Sequence, residues 1–109
     1  MREGLALLIN SQPGMQMIAQ ASNGREAIER FREHQPDVTL MDLRLPDMSG
    51  IDAIIAIRAE FPNARIIILT TFESDTESER ALAAGASAYM LKGTHPKDLA
   101  ETIRQVHSD

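Results

Sequence analysis

The 109-residue sequence contains no cysteine and no tryptophan, and its aromatic content is only 4%. The absence of cysteine excludes disulfide bonds. The sequence also contains no apolar run close to the ~20 residues that a membrane-spanning helix needs. The short apolar run at residues 5–9 is not followed by a small-residue cleavage site, so it does not resemble a signal peptide. We therefore expect a cytoplasmic protein with no membrane contact.

Positive charge is also scarce, since 11 lysines and arginines face 16 aspartates and glutamates and the net charge is −5. Such a chain has no general attraction to polyanions, which disfavours direct binding to DNA. The length suits one domain with a single packed core but leaves no room for a separate output module. We therefore predict one domain over residues 1–109.

Apolar periodicity and turn residues predict alternating helices and strands. The predicted helices cover residues 3–10, 25–34, 49–60, 73–84 and a last segment that Pro96 opens, and the predicted strands cover residues 15–21, 38–42, 65–70 and 88–91. The helix over 49–60 has a broad apolar face that includes Ile54 and Ile55, and we expect it to be buried. The near-continuous apolar run at 66–69 indicates a strand covered on both faces. This alternation is typical of a parallel α/β sheet, here with four strands.

Three of the predicted strands end in a polar side chain: Asp42, Thr70 and Lys92. In an open α/β sheet the ligand crevice lies outside the carboxyl ends of the strands. These residues would therefore supply a carboxylate nucleophile, a hydroxyl donor and a cation to one site. Lys92 is one of only two lysines in the chain.

These strand ends and the loop over residues 43–50 resemble the receiver domains of bacterial two-component response regulators, in the branch that usually carries a helix-turn-helix output domain. The resemblance covers nearly the whole chain and implies a flavodoxin-like fold. It implies that Asp42 accepts a phosphoryl group from a sensor histidine kinase, with Lys92 paired to that group. It makes Thr70 the switch hydroxyl and Tyr89 the switch aromatic. Such a domain is a phosphoacceptor, not an enzyme in the usual sense.

The resemblance also implies a magnesium ion held by Asp42, by the backbone carbonyl of Arg44 and by two adjacent acids that end the family's first strand. This sequence has no such acid pair, and it begins inside the helix that normally follows that strand. We therefore expect the first strand to be absent and Mg²⁺ binding to be weak or absent in this chain, although Mg²⁺ is expected in the intact protein. DNA would be contacted only through an output domain outside the chain, and a homodimer through the faces between Thr70 and Val106.

Other interpretations of the same residues remain open. Asp42 could be a solvated loop acid, Thr70 an ordinary strand residue, Tyr89 a half-buried aromatic with its hydroxyl in water, and Lys92 a surface lysine. The whole domain could be a degenerate, phosphorylation-independent interaction module of the same fold. An aspartyl-phosphate hydrolase is disfavoured because that chemistry needs a second aspartate two residues after the nucleophile, where Arg44 stands.

Overall fold

The computed structural model describes residues 9–16, 20–71 and 75–108. Its helices are α1 (Gly24–His34), α2 (Gly50–Glu60), α3 (Asp75–Ala84) and α4 (Pro96–Ser108), and its strands are β1 (Thr39–Asp42), β2 (Ile66–Thr70) and β3 (Ala88–Leu91). Most of the predicted helix over 3–10 lies outside the described residues, as do residues 17–19 of the predicted strand over 15–21, and the described residues 15, 16, 20 and 21 do not belong to a strand. Three of the four predicted strands are therefore observed, and their bounds agree with the predictions to within one residue.

The three strands form one parallel sheet in the order β1-β2-β3, so β2 is central. Asp42 lies opposite Leu69, and Thr70 lies opposite Leu91. All five residues of β2 are buried, as the continuous apolar run predicted. The parallel sheet and the flavodoxin-like architecture are confirmed. Because the strands are parallel, their carboxyl ends meet at one edge of the sheet.

The core consists of two clusters, one on each face of the sheet. Alternate residues of β2 divide between them, since successive side chains of a strand point to opposite faces. One cluster gathers α1, α2 and α3 around the sheet through Phe31, Ile54, Ile57, Ile66, Ile68 and Ala81. The other packs α4 on the opposite face through Ile67, Leu69, Leu99, Ile103 and Val106. Helices thus cover both faces of the described sheet, as a parallel sheet requires.

The predicted apolar face of α2 is only partly buried. Ile54 is completely buried between the sheet and the neighbouring helices, whereas Ile55 is 53% exposed, so the prediction is wrong for Ile55. Adjacent helical residues point about 100° apart. The buried residues of α2 (Gly50, Ile51, Ala53, Ile54 and Ile57) share one side of the helix, and Ile55 lies just beyond the edge of that side. None of the helices in the described segments is long and apolar enough to cross a membrane.

The helix starts follow from local capping. Asn23 accepts a hydrogen bond from the backbone N–H of Glu26 (2.9 Å) and so begins α1. The Ser49 hydroxyl accepts one from the backbone N–H of Asp52 (3.1 Å) and begins α2. Both residue types are preferred at helix N-caps because they satisfy an otherwise unpaired donor. The caps fix where each helix leaves the loop at the carboxyl edge of the sheet.

Candidate functional site

The predicted site residues meet at the carboxyl ends of the strands. Asp42 ends β1, Thr70 ends β2, and Lys92 follows β3 directly. Two backbone bonds extend the ladder past these ends: Leu43 N–H donates to the carbonyl of Leu69 (2.9 Å), and Lys92 N–H donates to that of Thr70 (2.7 Å). The extension keeps the three polar residues at one level of the sheet.

Asp42 and Lys92 form an ion pair, with 3.1 Å between the lysine Nζ and the carboxylate Oδ1. Their side chains are 42% and 27% exposed, respectively. Partly exposed pairs of this kind contribute only about 0–1 kcal/mol to stability. The pair therefore does little to hold the fold, while it leaves a carboxylate that an incoming group can reach and a cation beside it.

Thr70 and Tyr89 lie on the neighbouring strands behind this pair. Thr70 is 3% exposed and is the one buried polar residue of the described core. Tyr89 packs against the cluster that contains Ile68, its register partner in the sheet. Its hydroxyl oxygen is buried and has no hydrogen-bond partner among the residues described. A buried hydroxyl without a partner costs about 1–3 kcal/mol, so this side chain would be stabilised by a conformation in which the hydroxyl is hydrogen-bonded.

The loop between β1 and α2 folds back tightly on itself. Gly50 N–H donates to the carbonyl of Leu43 (2.6 Å), and Leu45 N–H donates to that of Met48 (3.1 Å). A Cβ atom on Gly50 would collide with the carbonyl oxygen of Asp42. The first turn of α2 is therefore pressed against the backbone of Asp42, an approach that only glycine permits.

The Arg44 side chain, in the loop after β1, reaches toward α3. Its guanidinium Nη2 is 3.8 Å from Glu77 Oε1 of α3, and its side chain is 70% exposed. The rest of the site offers few ligands for a metal ion. Within residues 9–16, 20–71 and 75–108 no three His, Cys, Asp or Glu side chains form a group that could hold one. Magnesium needs near-octahedral oxygen coordination. Asp42 and one backbone carbonyl therefore do not complete a magnesium site.

Asp47 was missed by the sequence reasoning. Its Oδ1 accepts a hydrogen bond from Gly24 N–H (2.7 Å), and its Oδ2 accepts one from Arg25 N–H (3.0 Å). These two donors, Gly24 first, hold the pKa of the Asp47 carboxyl below its usual value. The partners lie more than twenty residues away in the chain, so the local spacing that reveals Asn23 and Ser49 as caps gives no signal for this one.

Comparison with known proteins agrees with this geometry. The family model of the response regulator receiver domain matches residues 1–104. Response regulator protein VraR of Staphylococcus saprophyticus is 34% identical over 108 residues, which cover 99% of this chain and 52% of that protein. The chain thus spans about half the length of the curated relatives it matches.

Solved structures show the same fold. A LuxR-family two-component response regulator from Aurantimonas is 37% identical with a TM-score of 0.94, over 98% of this chain and 76% of that one. A LuxR-family DNA-binding response regulator from Staphylococcus aureus is 31% identical with a TM-score of 0.90, over 97% of this chain and 88% of that one. Because the receiver domain model matches residues 1–104 and the fold is that of the matched structures, the chain belongs to the receiver domain family of two-component response regulators.

Proposed function

We propose that this chain is a phosphoacceptor module and that Asp42 takes a phosphoryl group from the phosphohistidine of a sensor histidine kinase. The observation that carries the proposal is the partly exposed Asp42 carboxylate at the end of β1 with the Lys92 ammonium 3.1 Å away. A carboxylate oxygen attacks phosphorus and forms a new O–P bond. The P–N bond breaks, and the leaving imidazole nitrogen takes up a proton.

The roles of the neighbouring residues follow from what phosphoryl transfer requires. Charge develops on the three equatorial phosphoryl oxygens and has to be neutralised. Lys92 already forms an ion pair with the carboxylate and would pair with one of these oxygens. The Thr70 hydroxyl would donate to another oxygen, and the resulting shift at the end of β2 would change the space that Tyr89 occupies on β3.

Magnesium would supply further positive charge at the phosphoryl group when it is bound. Asp42 and the Arg44 carbonyl are the residues of this chain that would contact it. We propose that the acid pair of the family's first strand completes the site in the intact regulator.

The output is proposed from the relatives. One matched structure is described as a DNA-binding response regulator of the LuxR family. We propose that phosphorylation of Asp42 controls transcription through a DNA-binding domain of the intact protein, with dimerisation through the faces between Thr70 and Val106. The proposal is consistent with the chain's own net charge of −5, which does not favour direct contact with DNA.

The test uses this chain and a version extended at its N-terminus by a receiver first strand ending in two aspartates. Both are incubated with acetyl phosphate and Mg²⁺ and weighed by intact-mass spectrometry. We expect one added phosphoryl group on the extended parent and none on its Asp42→Asn variant. The matched control is Asp98→Asn, which neutralises an exposed acid in the first turn of α4 and should be phosphorylated like the parent.

Two results would contradict the proposal. A phosphoryl group on the Asp42→Asn variant would place the nucleophile elsewhere. An extended parent that never gains a phosphoryl group would instead favour a phosphorylation-independent interaction module of the same fold.

A further inference from the structure

The loop that follows Asp42 also caps a second helix. The first N–H groups of a helix have no acceptor within the helix. In α1, Asn23 serves the N–H of Glu26. The Asp47 carboxylate accepts hydrogen bonds from the N–H groups of Gly24 and Arg25, one on each oxygen. A negative charge there also suits the positive end of the helix dipole. The β1–α2 loop thus supplies two of the three acceptors at the start of α1.

Apolar packing reinforces this junction. Gly24 is buried, and a Cβ atom placed on it would collide with the side chain of Met48. Asp47 therefore binds the start of α1 through hydrogen bonds, and the side chain of Met48 packs against Gly24. Both contacts oppose a movement of the loop along the helix.

The other end of the same short loop is fixed to the phosphoacceptor strand. Gly50 N–H donates to the carbonyl of Leu43, and Leu43 N–H donates to the carbonyl of Leu69 on β2. Gly50 also lies against the carbonyl of Asp42. Between these two anchors lies Arg44, whose carbonyl is the one backbone oxygen proposed for the metal. Arg44 also forms an isolated antiparallel bridge with Ser49, so we expect a shift of the loop at either anchor to move this carbonyl.

From these contacts we propose that Asp47 is a positioning residue that couples the Asp42 site to the N-terminus of α1. It holds the β1–α2 loop in place beside Asp42. Loss of the cap would therefore weaken Mg²⁺ binding at the Asp42 site, and a conformational change at the site would alter the hydrogen bonds of Gly24 and Arg25. The effect on phosphorylation rests on the proposed function. The coupling between loop and helix does not, because it is present in the unphosphorylated chain.

Two sets of variants separate coupling from simple capping. Asp47→Ala removes both acceptors, and Asp47→Asn leaves one oxygen that can accept. Asn23→Ala is the first control. It removes another cap of α1, whose acceptor oxygen binds within the helix and not to the β1–α2 loop. Ser49→Ala is the second, because it removes a cap that lies in the same loop but serves α2.

The first readout is amide solvent exchange, measured by NMR on the 109-residue chain. Loss of a helix cap corresponds to a change on the order of five-fold in opening of the helix end. In Asp47→Ala we expect faster exchange of this size at Gly24 and Arg25, and also at the loop amides of Leu45 and Gly50. Asn23→Ala should affect only the start of α1, and Asp47→Asn should fall between Asp47→Ala and the parent.

The second readout is the magnesium dependence of phosphorylation by acetyl phosphate, measured on the version extended by a first strand. Asp47→Ala should raise the half-saturating Mg²⁺ concentration by a factor similar to its effect on loop exchange. Asn23→Ala and Ser49→Ala should leave that Mg²⁺ concentration at the parent value, even if they lower the melting temperature as much as Asp47→Ala does. A purely structural cap would move the melting temperature alone.

The outcomes distinguish the two hypotheses. If Asp47→Ala speeds exchange at Gly24 and Arg25 but leaves Leu45 and Gly50 at parent rates, Asp47 is an ordinary cap and the coupling is wrong. If the loop amides respond as expected but the extended parent accepts no phosphoryl group, the coupling stands and the proposed function fails.

Discussion

The ion pair of Asp42 and Lys92 exists before any phosphoryl group arrives, and both partners are partly in water. Its contribution in this state is therefore small. A phosphoryl group on Asp42 would offer the ammonium three oxygens and more negative charge, and charge-assisted hydrogen bonds of that kind are stronger. Because a ligand shifts an equilibrium only by its differential affinity for the two states, Lys92 should matter for switching more than for folding.

Lys92→Ala should leave the fold intact, with a loss of stability below about 1 kcal/mol, and should uncouple phosphorylation from the switch. Tyr89 reports on this directly, because the chain has one tyrosine and no tryptophan. We expect the tyrosine fluorescence of the extended parent to change on phosphorylation and that of Lys92→Ala to stay constant. Lys97→Ala, which removes the other lysine, is the control and should respond like the parent. If the fluorescence of Lys92→Ala changes on phosphorylation as much as that of the parent, the lysine is a solvated surface residue with no role in the switch.

At the scale of secondary structure elements, the site depends on how closely α2 approaches β1. The helix begins at Gly50 immediately against the Asp42 carbonyl, and its buried residues Ile54 and Ile57 hold it on the sheet. Since the contact partner is backbone rather than the end of a flexible side chain, it cannot move aside without moving the strand that carries Asp42.

Gly50→Ala should therefore destabilise the fold by about 1–3 kcal/mol, the usual cost of adding a group to a well-packed core. Urea unfolding measures this loss. The matched control is Gly93→Ala, because a Cβ at Gly93 meets nothing within 4 Å. We expect its stability to stay within about 0.5 kcal/mol of the parent. Equal stabilities of the two variants would show that α2 can retreat from Asp42 without cost.

The elements themselves were largely predictable, because the signals that define them are local. Asn23 and Ser49 each cap a helix by accepting a hydrogen bond from the N–H three residues later. The continuous apolar run of β2 indicates a strand whose two faces are both covered. What the sequence did not reveal is non-local. The Asp47 cap and the close approach of Gly50 to Asp42 depend on how elements pack together. Ile55 was wrongly expected to be buried for the same reason.

At the scale of the whole molecule, the site lies where a parallel sheet places its ligands, beyond the carboxyl ends of the strands. Sheet geometry alone brings Asp42, Thr70 and Lys92 together, although each comes from a different part of the chain. This is why the site could be predicted from strand ends before any tertiary contact was known. The metal ligands could not be completed in the same way, because the described part of the chain contains no group of three His, Cys, Asp or Glu side chains that could hold an ion.

Magnesium affinity should therefore differ between this chain and the version extended by a first strand ending in two aspartates. We expect the 109-residue chain to bind Mg²⁺ weakly and the extended one to bind it more tightly and to melt at a higher temperature, because a small divalent cation needs several oxygen ligands. Isothermal titration and thermal melts of both forms measure this. Equal affinities and equal melting temperatures would show that the paired acids and their strand are not needed.

The central claim is that Asp42 is the phosphoacceptor, and mapping the modified residue tests it most directly. The extended chain is phosphorylated with acetyl phosphate and treated with borohydride, which reduces an aspartyl phosphate to homoserine, and the product is sequenced by tandem mass spectrometry. We predict homoserine at position 42 and unmodified aspartate at positions 37, 47 and 52. Homoserine at another position, or at none, would contradict the account.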